Sequence, residues 1–408
     1  MNEVSIGSII LMLGATLLVG YFAKLLVNRY KVPDVTGYII LGVIAGYFIF
    51  SKRPELLESV EIVSDFALAI IAFIIGHELK KDVIKKLGRA IFFIAFFEAF
   101  AAFAIVFSVL YFFHIFPLHT SLLLGAIASA TAPAATVYVI HQYKSQGPLT
   151  STILAVVGID DAIALIIFVF ASTVAKQTFK GGGASFSVNT ITTPVIAVLC
   201  SFGLGIVMGA IFRFLFKHVR SKDAMGMGIV AFVLLVMGIA EVSHISELLA
   251  VMVFSAFLTN TSPVLARRSG EIMENFTSIM MPFFFIFAGA HLDITKIGSI
   301  AGVCTIYFFA RATGKIGGAS LGGFLGKAPA NVRKYTGLGL IPQVGVAVAL
   351  ALAVKRIFGD PSGPYGEEGA KMAVLIINIL LCSTIITESI GPLLTKFALK
   401  KANETTVE

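Results

Sequence analysis

Apolar residues in this chain come in long blocks, separated by short breaks that hold charges or clusters of glycine and proline. Cutting at those breaks yields thirteen segments, approximately 4–26, 34–50, 59–78, 88–113, 119–141, 151–175, 190–215, 226–241, 246–259, 270–290, 297–325, 335–354 and 370–395. Most are long enough to cross a bilayer as helices, which takes about 20 residues rising 1.5 Å each. The eighth and ninth are shorter and are expected to be tilted or partly re-entrant. Strand-period alternation is absent, which argues against an outer-membrane barrel. The pattern predicts an all-α polytopic membrane protein with about 13 transmembrane helices. Past Lys396 only a short polar tail follows, so no soluble regulatory domain is expected.

Two segments carry a helix breaker near mid-membrane. In the fifth it is Pro133, within Ala128-Ser129-Ala130-Thr131-Ala132-Pro133; in the twelfth it is Pro342, within Gly337-Leu338-Gly339-Leu340-Ile341-Pro342-Gln343-Val344-Gly345. Proline removes a backbone donor and glycine favours non-helical angles, so both centres are expected to unwind. Unwound backbone is tolerated only against protein or a watery cavity. The two segments run in opposite directions, and each precedes a segment with an intramembrane acid. Segments one to six and eight to thirteen then read as inverted repeats joined by the seventh. Paired interrupted helices at corresponding places point to a secondary transporter site, with carbonyl ends placed to help bind a cation.

Composition agrees with the pattern. Of the 408 residues 57% are hydrophobic and 13% charged, against about a quarter charged in soluble domains. Mean hydropathy is +0.94. The net charge of +8 fits basic cytoplasmic loops and no nucleic-acid partner. Lys80, Lys81, Lys85, Lys86 and Arg89 lie between or at the ends of segments three and four, Arg213, Lys217, Arg220 and Lys222 lie at or past the end of segment seven, and Lys396, Lys400 and Lys401 lie near the end of the sequence. The intervening loops are poorer in lysine and arginine, so the positive-inside rule sets the N-terminus outside and the C-terminus in the cytoplasm. Glu3 and the lack of a basic leader make the first segment a retained helix in a cell membrane, expected to be a prokaryotic inner membrane. Cys200, Cys304 and Cys382 each stand alone in an apolar run, and the histidines lack metal spacing. No cofactor and no enzymatic role are expected.

The costly residues are Asp160 and Asp161, adjacent in the middle of the sixth segment. Each ionised aspartate at a membrane-helix centre costs roughly 2.5–3.5 kcal/mol on insertion scales. Asp160 lies roughly 14 Å along its segment, near the midplane, with Asp161 about 100° round the helix. Arg311 and Lys315 supply intramembrane cations at i, i+4 on the eleventh segment, Lys315 at about the depth of Asp160. Glu98 and Glu388 fall within about a turn of that depth. A lysine beside an aspartate has two arrangements: an ion pair, or a cation on the carboxylates with the lysine displaced or deprotonated, an exchange for which lysine is better suited than arginine. Arg311 is expected to tie helices together or pair with Glu388 or Glu98, and Asp65 is expected to be structural. Asp161, Asp160, an unwound carbonyl and Thr131 form an oxygen set for a hard monovalent cation. The implied reaction is exchange of protons for Na⁺, Li⁺ or K⁺ on the same acids. An intramembrane aspartyl protease would need its acids on separate helices, whereas a ligand-gated K⁺ channel of similar fold would pass K⁺ without moving protons.

Several motifs together resemble a known family. Val32-Pro33-Asp34-Val35-Thr36-Gly37-Tyr38, Phe73-Ile74-Ile75-Gly76-His77-Glu78-Leu79, the Asp160-Asp161 pair, Gly314-Lys315-Ile316-Gly317-Gly318 and Thr387-Glu388-Ser389-Ile390-Gly391-Pro392 are similar to those of monovalent cation:proton antiporters. The likeness is to the second branch, with Kef-like and NapA-like exchangers, and covers the whole chain. It implies a homodimer in the lipid bilayer exchanging Na⁺ (or Li⁺ or K⁺) for H⁺ by alternating access, electrogenically; a Kef-like K⁺ efflux system without tight proton coupling is the alternative. It implies a gate domain over 1–87 and 216–296, a linker helix over 190–215, and a moving core over 88–180 and 297–396. The broken helices would cross beside Asp161, which binds ion and proton, while Asp160 pairs with Lys315. Arg311, Glu388, Glu98, Gln343, Pro133 and Pro342 are accessory. The chain departs from the family in reading Pro342-Gln343-Val344-Gly345 where Pro-Arg-Gly-Glu is common, and Thr131-Ala132-Pro133 resembles the first branch's Thr-Asp-Pro with its acid absent.

Overall fold

The computed structural model describes residues 5–29, 34–50, 53–79, 81, 88–180, 188–292 and 297–405. Each expected segment has a helical counterpart within these. They are α1 (Ile6–Arg29), α2 (Asp34–Ala45, continued by a π-helical turn Gly46–Phe50), α3 (Glu61–Glu78, after a short helix Pro54–Glu58) and α4 (Gly88–Phe112). The fifth segment is two half-helices, α5 (Leu118–Ser129) and α6 (Pro133–Gln142). Then come α7 (Pro148–Lys180), α8 (Val188–Phe216), α9 (Lys222–Val242), α10 (Glu247–Thr261), α11 (Pro263–Ala290) and α12 (Ile297–Leu325). The twelfth segment is α13 (Ala330–Tyr335) with a 3₁₀ turn Thr336–Leu340, then α14 (Val346–Phe358); α15 (Gly366–Lys401) closes the chain. Among the described residues 7 helices are long and apolar enough to cross a membrane, and several shorter apolar ones accompany them. Val32-Pro33, Lys80, Lys85 and Lys86 lie outside the described residues.

The helices pack in two groups. In one, α11 lies against α1, α2 and α3, and α10 against α3, α8 and α9. In the other, α4, α7, α12 and α15 surround the broken segments α5–α6 and α13–α14. Contacts between the groups run mainly through α7, which touches α3, α8 and α10.

The pairing of α12 with α4 positions the site, and the sequence of α12 explains it. Gly314, Gly318, Gly322 and Gly326 recur every four residues and so line one face. In lipid there is no hydrophobic drive between helices, and small residues let backbones approach closely. A Cβ on Gly314 would sit 2.5 Å from Ala102 Cα, and one on Gly326 would sit 2.5 Å from Ala90 Cα. A Cβ on Gly318 would strike the Phe97 carbonyl and Glu98 Cα. This bare stripe brings Glu98 of α4 against Lys315 of α12.

The two ends of the bundle differ. Toward the end where α7 begins, Leu149, Ile153, Val156 and Val157 belong to an apolar cluster that, among the described residues, stays within their own group, with Ile94, Ala319 and Leu399 among its members. Toward the end where α7 finishes, Leu165, Phe168 and Val169 share one apolar core with Ala67, Leu68, Leu249 and Phe284 of the other group. The tail is also built in. Glu404 accepts hydrogen bonds at 2.7 Å from the Leu149 and Thr150 amides and the Thr150 hydroxyl, so it caps α7, whose preceding residue Gly147 has no side chain to do so. Cys304, isolated in sequence, donates its thiol to the Ile379 carbonyl of α15 at 3.8 Å, between α12 and α15.

Candidate functional site

Both expected breaks are present, and they touch. Helix α5 ends at Ser129, and Ala130 is extended, with φ −71° and ψ 146°. Ala130 to Ala132 carry no helix, and α6 restarts on Pro133. Proline suits a first helical position, where no amide donor is required, and its ring pushes the preceding residue out of the helical region. In the twelfth segment residues 341–344 are non-helical, and Gly345 turns the chain into α14 at φ +42°, a value that side chains disfavour. The breaks cross backbone to backbone. The Ala132 amide donates to the Pro342 carbonyl at 2.9 Å, and Thr136 Oγ1 donates to the Gly339 carbonyl at 2.7 Å.

A helix that stops at mid-membrane leaves its last carbonyls without amide partners and the negative end of its dipole exposed. The chain's own cations answer both. Arg311 donates from Nε to the Ala128 carbonyl at 3.0 Å and from Nη2 to the Ala130 carbonyl at 2.8 Å. Its Nη1 reaches the Ile341 carbonyl at 2.6 Å, so one guanidinium ties α5 to the twelfth-segment break. Lys315 Nζ donates to the Ser129 carbonyl. Gln343 Nε2 donates to the Ile127 carbonyl at 2.9 Å and to the Tyr307 hydroxyl at 3.1 Å. The carbonyl ends expected to help hold a transported cation are thus occupied by Arg311, Lys315 and Gln343.

Lys315 is fully buried, and its ammonium lies between two carboxylates. Glu98 Oε2 is 2.6 Å away and Asp160 Oδ2 is 3.2 Å away, both on fully buried side chains. The ammonium also donates to Thr131 Oγ1 at 2.8 Å. Thr131 therefore holds the lysine in this arrangement. Asp161, on the next position of α7, is buried at 7% exposure. Its own helical face is asymmetric. Three residues earlier, a Cβ on Gly158 would meet open space. Beyond it, Leu165 and Phe168 are buried at 2% and 4%.

The structure thus gathers Glu98, Thr131, Asp160, Arg311, Lys315, Pro342 and Gln343 at one crossing. Of the alternatives for Arg311, the tie between helices is what is seen: its hydrogen bonds go to carbonyls, and Glu98 belongs to Lys315. Glu388 on α15 is 7% exposed, and neither carboxyl oxygen has a hydrogen-bond partner among the described residues. Its neighbour Thr387 donates to the Gln343 carbonyl at 3.4 Å. Tyr307 joins the site without having been expected there, although Tyr307, Arg311 and Lys315 recur every four residues on α12. Glu98, expected as an accessory, is a direct partner of Lys315, and the glycine stripe of α12 is the signal in the sequence for a helix packed close enough to bring that acid to the lysine.

Residues 14–401 match the family described as "Sodium/hydrogen exchanger, transmembrane". Among curated proteins, the ammonium/H⁺ antiporter subunit AmhT of Alkalihalophilus pseudofirmus is 21% identical over 298 residues, 72% of this chain and 71% of that protein. Among solved structures, the sodium proton antiporter MjNhaP1 of Methanocaldococcus jannaschii at pH 8 superposes with a TM-score of 0.75. That match has 17% identity and covers 96% of this chain and 98% of the other. A second MjNhaP1 structure, from an electron-microscopy map, gives 0.69, also at 17% identity, over 99% and 100% of the two chains. At such identity these neighbours establish the fold, and they do not single out the second branch. The family match runs from within α1 to the end of α15, through both breaks, the aspartate pair and Lys315, and the chain belongs to the transmembrane sodium/hydrogen exchanger family.

Proposed function

We propose that the protein exchanges Na⁺, or a closely related monovalent cation, for protons by alternating access at the crossing of the broken helices. The observation that carries this reading is the seat of the Lys315 ammonium. It is a +1 group lodged among oxygens alone: the Ser129 carbonyl, Thr131 Oγ1, Asp160 and Glu98. If the ammonium gives up its proton or swings aside, what remains is an oxygen cage for a hard cation, next to Asp161. Proton and cation then compete for one place, and that is the condition for obligatory exchange. When both Asp161 and the Lys315–Asp160 pair release a proton for each cation bound, the exchange is electrogenic.

Alternating access follows from the two helix groups. The one built on α4, α5–α7 and α12–α15 acts as the moving core, and α1–α3 with α9–α11 as the gate that forms a homodimer, with α8 as linker. Open space beside Gly158 and the apolar seal at Leu165 and Phe168 support a cytoplasm-facing state. Na⁺ is the first candidate, and the AmhT likeness adds ammonium to Li⁺ and K⁺.

The test is dye-reported ΔpH in proteoliposomes containing the pure protein, with Na⁺, Li⁺, K⁺ and NH₄⁺ added in turn. At least one cation should dissipate the gradient, and Na⁺ most strongly. A gradient that survives all four overturns the exchange reading, and cation flux without proton movement assigns a channel instead.

A further inference from the structure

At the end of the bundle where α7 finishes, expected to be the outer one, a charged cluster bridges the two helix groups. Arg356, near the end of α14, reaches three carboxylates of the opposite group. Its Nη1 lies 2.5 Å from Glu247 Oε2 at the start of α10, its Nη2 3.0 Å from Glu241 Oε1 at the end of α9, and its Nε 3.7 Å from Asp65 Oδ2 of α3. The neighbouring Lys355 Nζ is 3.4 Å from Nε2 of His291, just past α11. Arg356 and its three acids line a cleft of about 290 Å³ between the helix groups, with Ser172 and Lys176 of α7 and Tyr365 on its walls. The cleft leads toward Phe168, which is two turns along α7 from Asp161.

Three acids from three helices meet one arginine, and Lys176 of α7, on the same helix group as Arg356, also lines the cleft. A single surface ion pair adds little, but Arg356 is only 30% exposed and Glu247 17%, and an arginine fork holding several carboxylates at once is strong and direction-specific. Every one of these bonds crosses from the group carrying Asp160, Asp161 and Lys315 to the group carrying none of them. Any displacement of one group past the other by more than an ångström or two breaks them together.

On the alternating-access reading above, we propose that Arg356, with Asp65, Glu241 and Glu247, is the outer latch of the transporter, closed in this state and broken in each transport cycle. Opening withdraws Arg356 with its group and leaves Asp65, Glu241 and Glu247 lining the cleft, a negative mouth that concentrates cations on the way to Asp161. Asp65, expected from sequence to be structural, is part of this latch.

The test is to prevent the latch from opening. In a background with Cys200, Cys304 and Cys382 replaced by alanine, Arg356→Cys and Glu247→Cys are joined by a short, membrane-permeant, bifunctional thiosulfonate. Cation-driven ΔpH dissipation should fall at least ten-fold on cross-linking and return with reductant; a cross-linked protein transporting at its uncrosslinked rate overturns the latch. A second measurement covers loss of transport in the double variant itself. Ser172→Cys in the same cysteine-free background, probed from both sides with an impermeant maleimide, should react at least five-fold faster from the α7-terminal side when Arg356→Gln is added. Equal rates overturn the proposal. If unmodified protein moves no protons with any cation, the exchange reading fails, while the labelling rates still decide the latch.

Discussion

At the scale of single residues, Asp160 and Asp161 divide by geometry. Asp160 faces the Lys315 ammonium at 3.2 Å, while Asp161 sits on the face of α7 that opens beside Gly158. Asp161→Asn should therefore abolish cation-driven ΔpH dissipation while leaving the melting temperature close to wild type; exchange near the wild-type rate would remove Asp161 from the site. The two cations of α12 separate in the same way. Arg311→Gln strips donors from three buried carbonyls, each worth about 1–3 kcal/mol when left unsatisfied. Lys315→Gln leaves the crossing tied and removes the charge between the carboxylates. We expect Arg311→Gln to lower the melting temperature more, and Lys315→Gln to lower the charge moved per cation, read as the membrane-potential dependence of exchange. The reverse order would exchange the two roles.

At the scale of elements, helices are placed by residues that make no chemistry. Gly318→Leu would drive a side chain into the Phe97 carbonyl and Glu98 Cα. Separating α4 from α12 pulls Glu98 away from Lys315, so exchange and thermal stability should fall together. Gly317→Leu, with nothing within 4 Å of its Cβ position, should leave both nearly unchanged. The α7 cap gives a smaller effect. Glu404→Ala removes the acceptor for two amides, a loss of about 0.5–2 kcal/mol for a helix cap, and should lower the melting temperature measurably without abolishing exchange. A melting temperature unchanged in Glu404→Ala would show that the tail does not hold α7.

At the scale of the whole molecule, the apolar core of the described residues is continuous across the helix groups toward the end where α7 finishes and not toward the other. The path to Asp161 should therefore be open from the opposite, expected cytoplasmic, end. Gly158→Cys should react with impermeant maleimide from that side and not from the other, and the opposite sidedness would reverse either the conformation or the topology. The surfaces of α1 and α8 keep large apolar side chains exposed, Leu11 at 77% and Phe214 at 71% among them, as lipid or a second copy would require. A homodimer predicts a protein mass of twice 43.5 kDa in light scattering corrected for detergent.

The sequence by itself determined the elements and their depth. An apolar block long enough to cross a bilayer can only be a helix, because lipid offers backbone groups no other partner. Pro282 and Pro392 stand inside continuous helices, so the breaks at Pro133 and Pro342 were legible from proline together with its neighbours and from their paired places in the two halves. A charge buried in such a block has a cost readable without coordinates. That is why the segments, both interruptions, the aspartate pair and Lys315 were legible. Which cation meets which oxygen was not, since Arg311 and Lys315 lie one turn apart on one face and both are long enough to reach several acids. Only the close packing of α12 on α4, the crossing of the two breaks and the return of the tail to α7 decided that Lys315 lies between Glu98 and Asp160, that Arg311 closes the broken ends, and that Glu404 and Arg356 act on helices far from them in sequence. Those choices depend on ångström-scale approach between separate segments, most of them more than a hundred residues apart, which the order of residues along one chain does not specify.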